Sequence, residues 1–252
     1  MMRFALSLSY KGSLYHGWQV QNDKISIQQI IEEKLSLIIR TPVHTFVSGR
    51  TDAGVHAVKQ VCHFDVEAVH VDKVKKLLKS LVYRLNSILP EDIVIHEIKP
   101  VKSGFHAQRS ASFKEYQYFV LSDAKRNVFL REFAWHIPQK LDLQSMRKAC
   151  GYLKGKHDFT SFCATDSTAQ TRIRVIRKIT IKKIKFPPPF ETKGNLLCFT
   201  FVGEGFLKQM VRNLMGTIIA AGLKKITPAQ VRLALKSKTR AHAMATAPAR
   251  GL

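Results

Sequence analysis

The sequence is short of acids, cysteines and long apolar runs, and each shortage closes a class of function. Asp and Glu number 18 in 252 residues, so a hydrolase working through paired carboxylates finds few candidates for its second acid. Cys62, Cys150, Cys163 and Cys198 are scattered, with no Cys-x-x-Cys pair, which disfavours a zinc ribbon, an iron–sulfur site or a disulfide scaffold. The ten histidines are dispersed, and none has a partner at His-x-x-x-His spacing. No metal is expected. No stretch reaches the roughly 18 consecutive apolar residues of a membrane span. The opening MMRFALSLSYKG is too short and too interrupted for a signal-peptide core. The expectation is a cytoplasmic protein, off the membrane, with its cysteines reduced and in the core.

What the sequence has in excess is positive charge. Lys and Arg number 41 against those 18 acids, a formal net charge of +23. With 45% hydrophobic residues the chain can still build a core, so it is neither a disordered tail nor a bare basic arm. A globular protein with such a coat repels itself unless a polyanion is its usual company, and a nucleic acid is the first candidate. A basic structural protein of a ribosome or a membrane surface is the plainer rival.

The apolar pattern reads as α+β. Phe4, Leu6 and Leu8 alternate between Arg3 and Ser9, the period of a half-buried strand. A loop follows with Gly12 and Gly17 and with Tyr15, His16 and Trp18, which read as exposed. Ile27, Ile30, Ile31, Leu35 and Ile38 recur at helical spacing behind Ser26, a suitable cap. Thr45 to Val47 and Val61 to Phe64 read as strands. A second helix carries Val71, Val74, Leu77, Leu78, Leu81 and Val82, with Lys73, Lys75, Lys76 and Lys79 on its other side. Ile93 to Ile98 is strand again. The second half repeats this grammar: strands at Phe113 to Leu121, Ile173 to Ile181 and Leu196 to Val202, and a helix over Leu141 to Leu153. A helical stripe runs from Phe206 through Met210, Val211 and Leu214 to Ile218, and Pro228 starts a last short helix. Pro187-Pro188-Pro189 reads as a rigid excursion between two strands. Two similar halves, 1–104 and 105–252, sharing one antiparallel sheet flanked by helices, are the expected architecture.

Two basic tracks stand out. Arg172, Arg174, Arg177, Lys178, Lys182, Lys183 and Lys185 are interleaved with apolar residues on one strand. Lys224, Lys225, Arg232, Lys236, Lys238 and Arg240 crowd the last helix. Such tracks suit phosphates, which contribute salt-dependent affinity and little sequence information.

Chemistry concentrates in Ser48-Gly49-Arg50-Thr51-Asp52-Ala53-Gly54-Val55-His56. Two glycines allow tight turns, and a loop of this kind presents polar side chains from a firm scaffold. Asp52 lies near Arg50 and His56 in sequence. A carboxylate beside an arginine stays ionised well below neutral pH, which suits a nucleophile better than a general acid.

GRTDAGVHA, Gly49 to Ala57, closely resembles the catalytic loop of the tRNA pseudouridine synthase A family. The resemblance runs nearly end to end: YHGWQ from Tyr15, LP at Leu89-Pro90, FHA from Phe105, KEYQY from Lys114, HDFTSF from His157, GEGFLKQMVRNLMG from Gly203 and ATAPARGL from Ala245. It implies a pseudouridine synthase fold with the aspartate loop in 1–104, and the tyrosine and MVRN arginine in 105–252. It implies isomerisation of uridine to pseudouridine in the anticodon stem-loop of tRNA, at three adjacent positions, 38 to 40, on its 3′ side. It implies no cofactor, no metal, and a homodimer whose clefts are lined by both subunits. Asp52 is then the nucleophile, Tyr116 lies against the target base, and Arg212 pairs with the aspartate. Arg50 helps hold the displaced nucleotide, with His56 and Arg109 as further substrate-binding residues. Family members often carry an arginine directly after FHA; Gln108 stands there, and Arg109 is the neighbouring guanidinium.

The reaction explains these residue types. Uracil detaches at N1, turns, and rejoins the ribose through C5, with no redox change and no group gained. A carboxylate can add to ribose C1′ or to ring C6, and either route requires it ionised and close. A guanidinium holds it bidentately and keeps its pKa low. A tyrosine ring can stack under the base, which must leave its own stack first. A binding-only protein on the same scaffold predicts a damaged loop, whereas Asp52, Tyr116 and Arg212 all stand.

Overall fold

A computed structural model describes residues 1–185 and 193–252; the Pro187-Pro188-Pro189 excursion lies outside the described residues. The chain divides into two units, Met1–Ala111 and Ser112–Leu252, each with its own sheet and helices.

In the first unit the alternation at the N-terminus becomes β1 (Met2–Tyr10), with Phe4, Leu6, Leu8 and Tyr10 buried. It lies between β3 (Ala57–Val66) and β4 (Ile93–Val101), and β2 (Thr45–Val47) flanks β3 in an antiparallel sheet ordered β2-β3-β1-β4. Two helices cover the apolar face. In α1 (Ile27–Ile39), Ser26 Oγ accepts the Gln29 amide at 3.3 Å, and Ile27, Ile31, Leu35 and Ile39 face the core. In α2 (Ala68–Asn86), Val74, Leu81 and Leu85 are buried while Lys75, Lys76 and Lys79 are exposed. Each fully buried Leu, Ile or Phe contributes roughly 1.5–3 kcal/mol.

The second unit has a five-stranded sheet ordered β6-β5-β9-β8-β7, formed by β5 (Lys114–Ser122), β6 (Trp135–Ile137), β7 (Gly155–Asp158), β8 (Ile173–Ile184) and β9 (Asn195–Gly203). All its pairs are antiparallel except β5 with β6. Helices α3 (Leu143–Leu153), α4 (Met210–Gly222) and α5 (Pro228–Ser237) complete the unit. Met146, Ala149 and Cys150 of α3 point inward as their spacing predicts. Thr227 and Gln230 close a capping box ahead of Pro228. Every residue of α4 except Arg212 is buried.

The structure corrects several readings. Tyr15 and Trp18 are buried, at 7% and 1% exposure, because their loop folds back onto the aspartate loop; His16 is exposed. Phe206 precedes α4, whose cap Gln209 adopts a left-handed conformation. Arg240 leaves the basic track: its guanidinium bonds the Ala243 carbonyl, Asn213 and Thr246. Strands β6 and β7 are too short to show a period. The four cysteines are free and buried, and burial pushes the Cys150 thiol up to about 12.

Candidate active site

The loop between β2 and β3 carries Asp52, and it is pinned from both sides. From the sheet, Ser48 N donates to the Val61 carbonyl at 2.8 Å. The buried Gln60 amide donates to the Gly49 carbonyl at 2.8 Å and to the Tyr10 hydroxyl at 3.3 Å. That hydroxyl meets Thr51 Oγ1 at 2.8 Å. From the preceding loop, Trp18 N donates to the Thr51 carbonyl at 3.1 Å, and Gly54 N to the Tyr15 carbonyl at 3.2 Å. Gly12 N donates to His56 Nδ1 at 3.1 Å. Within the loop, Val55 N returns to the Asp52 carbonyl at 3.1 Å.

Glycine is required at two of these approaches. Gly17 has φ +89°, and a Cβ there would stand 2.6 Å from the Thr51 carbonyl oxygen. A Cβ on Gly12 would run into the Val55 carbonyl. Tyr15, whose hydroxyl donates to Asp92 at 2.6 Å, anchors the supporting loop, and burial pushes that phenol up. The loop around Asp52 is thus held by six hydrogen bonds from other segments, four to its backbone and two to the Thr51 and His56 side chains, and the Asp52 side chain is half-buried. Arg50 is exposed beside it.

The segment carrying Arg109 is held separately. Arg3 forks onto Asp65 with two 2.7 Å bonds and donates to the Ser103 and Phe105 carbonyls at 3.0 and 2.6 Å. The Arg3 guanidinium keeps the Asp65 carboxyl below its usual range. His63 Nδ1 accepts the Ala107 amide at 3.2 Å; its ring stacks on Phe46 at 5.0 Å and meets His106 edge-on at 4.8 Å. Burial, then Arg3, lowers the His63 pKa. Gln108 and Arg109 are exposed on the outside of this turn.

In the second unit, Tyr116 and Tyr118 share one face of β5. Tyr118 is fully buried and donates to the Pro248 carbonyl at 2.7 Å, and burial raises its pKa. Tyr116 is half-buried and meets Phe206 edge-to-face at 5.0 Å. Arg212 Nε donates to the Ala247 carbonyl at 2.9 Å, while Ala247 N donates to the Arg212 carbonyl at 3.1 Å. Beneath it, the buried Asn213 donates to the Phe162 carbonyl at 2.9 Å and accepts from Thr246 at 2.6 Å. HDFTSF, MVRN and ATAPARGL, far apart in sequence, therefore meet around one turn of α4. Tyr118 is seated on the same C-terminal segment, where a Cβ on Gly251 would crowd its ring at 2.5 Å.

The supporting residues Tyr10, Gly17, Trp18 and Gln60 escaped sequence reading. Their role depends on contacts 11 to 50 positions away, which no local period signals. Among the described residues no group of three His, Cys, Asp or Glu side chains could hold a metal, and no helix is long and apolar enough to cross a membrane.

The first unit thus carries Asp52 on a braced loop, and the second ties Arg212 and Tyr118 to one C-terminal segment. A family model described as tRNA pseudouridine synthase matches residues 149–252. Over its whole length the chain is 38% identical to tRNA pseudouridine synthase A of Bacillus subtilis (strain 168), covering 96% of that protein. It is 36% identical to the protein of that name from Thermotoga sp. (strain RQ2), covering 97% of it, and 38% to that from Pseudoalteromonas translucida, covering 89%. The chain belongs to the tRNA pseudouridine synthase A family, an isomerase family with the pseudouridine synthase fold.

Proposed function

We propose that this enzyme converts uridine to pseudouridine in the anticodon stem-loop of tRNA, at positions 38 to 40. The observation that carries the reading is the intact GRTD loop, braced around Asp52 by hydrogen bonds from β1, β3 and the loop that precedes α1. Asp52 acts as the nucleophile. Tyr116 supplies a ring for the flipped base, with Phe206 behind it. In this reading Arg212, the single residue of α4 left out of the core, is the charge partner of Asp52. Arg50, His56 and Arg109 hold the displaced nucleotide and its neighbours. A net charge of +23 supports a polyanionic substrate. In this reading the enzyme works as a cytoplasmic homodimer, and the isomerisation, which neither gains nor loses electrons, needs no redox group.

The test uses unmodified tRNA transcripts that carry uridine at one, two or all three of those positions. Pseudouridine is mapped base by base after incubation. Modification confined to that stretch supports the reading; modification elsewhere, or none, removes it.

A further inference from the structure

Past β4 the chain turns back over the face of the first sheet that lies away from its helices. Along β1 and β3, Phe4, Leu6, Cys62 and Phe64 point to the core beneath α1 and α2, so Arg3, Ala5, His63 and Asp65 alternate to the other side. Arg3 stands opposite Asp65 and Ala5 opposite His63, while Phe46 of β2 flanks His63 from the other strand. The turn at 103–110 lies on this patch. Its shape is set within it: His106 N donates to Ser110 Oγ at 3.0 Å, and Ser110 N to the His106 carbonyl at 2.8 Å. Its attachment comes from the sheet. Arg3 donates to the Ser103 and Phe105 carbonyls, and His63 Nδ1 accepts the amide of Ala107, two residues before Arg109.

His63 is 1% exposed and Ala107 3%, so this bond is closed to water. The ring is walled by Phe46, stacked on it at 5.0 Å, and by Phe105 and His106, edge-on at 6.1 and 4.8 Å. Nδ1 can accept from an amide only while it carries no proton. A proton there would set donor against donor and put a charge beside Arg3 and His106. Asp65 also faces the ring, but both its oxygens are engaged by the Arg3 fork. Burial, Arg3 and His106 accordingly hold the ring's pKa down, against smaller pulls from Asp65 and the Phe46 backbone. A buried amide left without its acceptor is costly, so the turn has to move when the ring is charged.

We propose that His63 is a positioning residue for substrate RNA: uncharged, it holds the 103–110 turn by the Ala107 amide so that Arg109 meets the strand, and a proton taken up from water frees the turn. This rests on the isomerase reading above, in which Arg109 is an RNA contact, and adds the condition under which that contact is made.

The test titrates the affinity for a stem-loop RNA from about pH 4.5 to about pH 8. The proteins are wild type, His63→Asn, His63→Leu, Arg109→Gln and the pair His63→Asn with Arg109→Gln, with melts at each pH confirming that they are folded. Asparagine offers an oxygen near the place of Nδ1 and takes up no proton in this range, whereas leucine offers no acceptor. The ratio of wild-type to His63→Asn affinity should be level at the alkaline end and fall about tenfold toward the acid end, the scale of one lost guanidinium contact. The other titrating histidines are common to both proteins and cancel in the ratio. His63→Leu should bind weakly at every pH. With Arg109→Gln in both proteins the ratio should stay level. Parallel wild-type and His63→Asn curves overturn the proposal, as does a fall that persists without Arg109, or wild-type affinity in a folded His63→Leu. Should His63→Asn fail to fold, wild type against Arg109→Gln decides, since Arg109 is exposed, and equal dependence on pH overturns the proposal. Pseudouridine formation on the same RNA is read in parallel at the alkaline end. Turnover with parallel pH curves removes the role of His63 alone, whereas the pH effect without turnover removes the isomerase reading and keeps His63 as the residue that positions an RNA contact.

Discussion

Replacing Gly17 by alanine drives a methyl group into the backbone that carries Asp52. The added Cβ would meet the Thr51 carbonyl oxygen at 2.6 Å and the Ala53 nitrogen and Asp52 carbonyl carbon at 3.1 Å. All three are main-chain atoms, so no side-chain rotation relieves the overlap. The φ of +89° adds backbone strain of about 1–3 kcal/mol for any residue with a Cβ. Overpacking against a fixed backbone adds about 1–3 kcal/mol more. The sum, about 2–6 kcal/mol, corresponds to a fall in melting temperature of roughly 5–20 °C for a chain of this size. Where the loop yields instead, Thr51 to Ala53 shift by several tenths of an ångström. A misplacement approaching 1 Å can lower the chemical rate by up to about a hundredfold. Gly151 is the matched control: it sits in α3 with open space around its Cβ position. Gly151→Ala should leave the rate unchanged and stabilise by about 0.5–1 kcal/mol. Thermal melts and single-turnover pseudouridine formation on both variants decide the matter. A Gly17→Ala protein with wild-type melting temperature and rate would refute the claim that this glycine braces the aspartate loop.

Tyr116→Phe should bind a stem-loop more tightly than Tyr116→Ala, by about 1–3 kcal/mol if the ring is a stacking platform; equal affinities of the two variants rule that out. Stability should rise with pH through the window between the lowered pKa of folded His63 and the ordinary histidine value of about 6.5, because there the unfolded chain binds more protons; above the window it is level. Melts from about pH 5 to about pH 8 should show this slope in wild type and a flatter one in His63→Gln, and identical slopes contradict it. With about six to ten phosphates engaged, tRNA affinity should fall on the order of a thousandfold between about 50 and 200 mM salt, and a flat response removes the phosphate tracks. Sedimentation on the same samples should show activity lost with the dimer on dilution; a fully active monomer contradicts a cleft lined by two subunits.

The elements that could be read from sequence are those whose signal is local. The Phe4-Leu6-Leu8 alternation, the Ser26 cap and the inward Met146-Ala149-Cys150 face each depend on neighbours a turn or a pleat away, and each is found as its period predicts. Trp18 shows the opposite case. It lies among glycines and polar residues with no period, and it is buried because its backbone amide bonds Thr51, 33 positions later. Arg240 misleads for a related reason: among lysines it reads as surface charge, and only the fold brings Asn213 and Thr246 to it. The aspartate loop was legible as a motif, and its rigidity was not, since Tyr10, Gln60 and Gly17 act on it from other parts of the chain. Lys183 and Lys185 are exposed as the basic pattern suggests, whereas Arg177 is paired with Glu204 at 2.9 Å and is less available to phosphates.

The central claim, that Asp52 performs the isomerisation, is tested most directly by tritium release from tRNA carrying [5-³H]uridine. Joining C5 to the ribose displaces the hydrogen on C5 to water, so release counts turnovers whichever carbon the carboxylate attacks. Wild type should release tritium from the anticodon stem-loop. Asp52→Asn, which keeps the shape and removes the charge, should release none in a single turnover while binding the same tRNA within a few fold. Release by Asp52→Asn within about tenfold of wild type, a difference of only about 1.4 kcal/mol in barrier, would contradict the account.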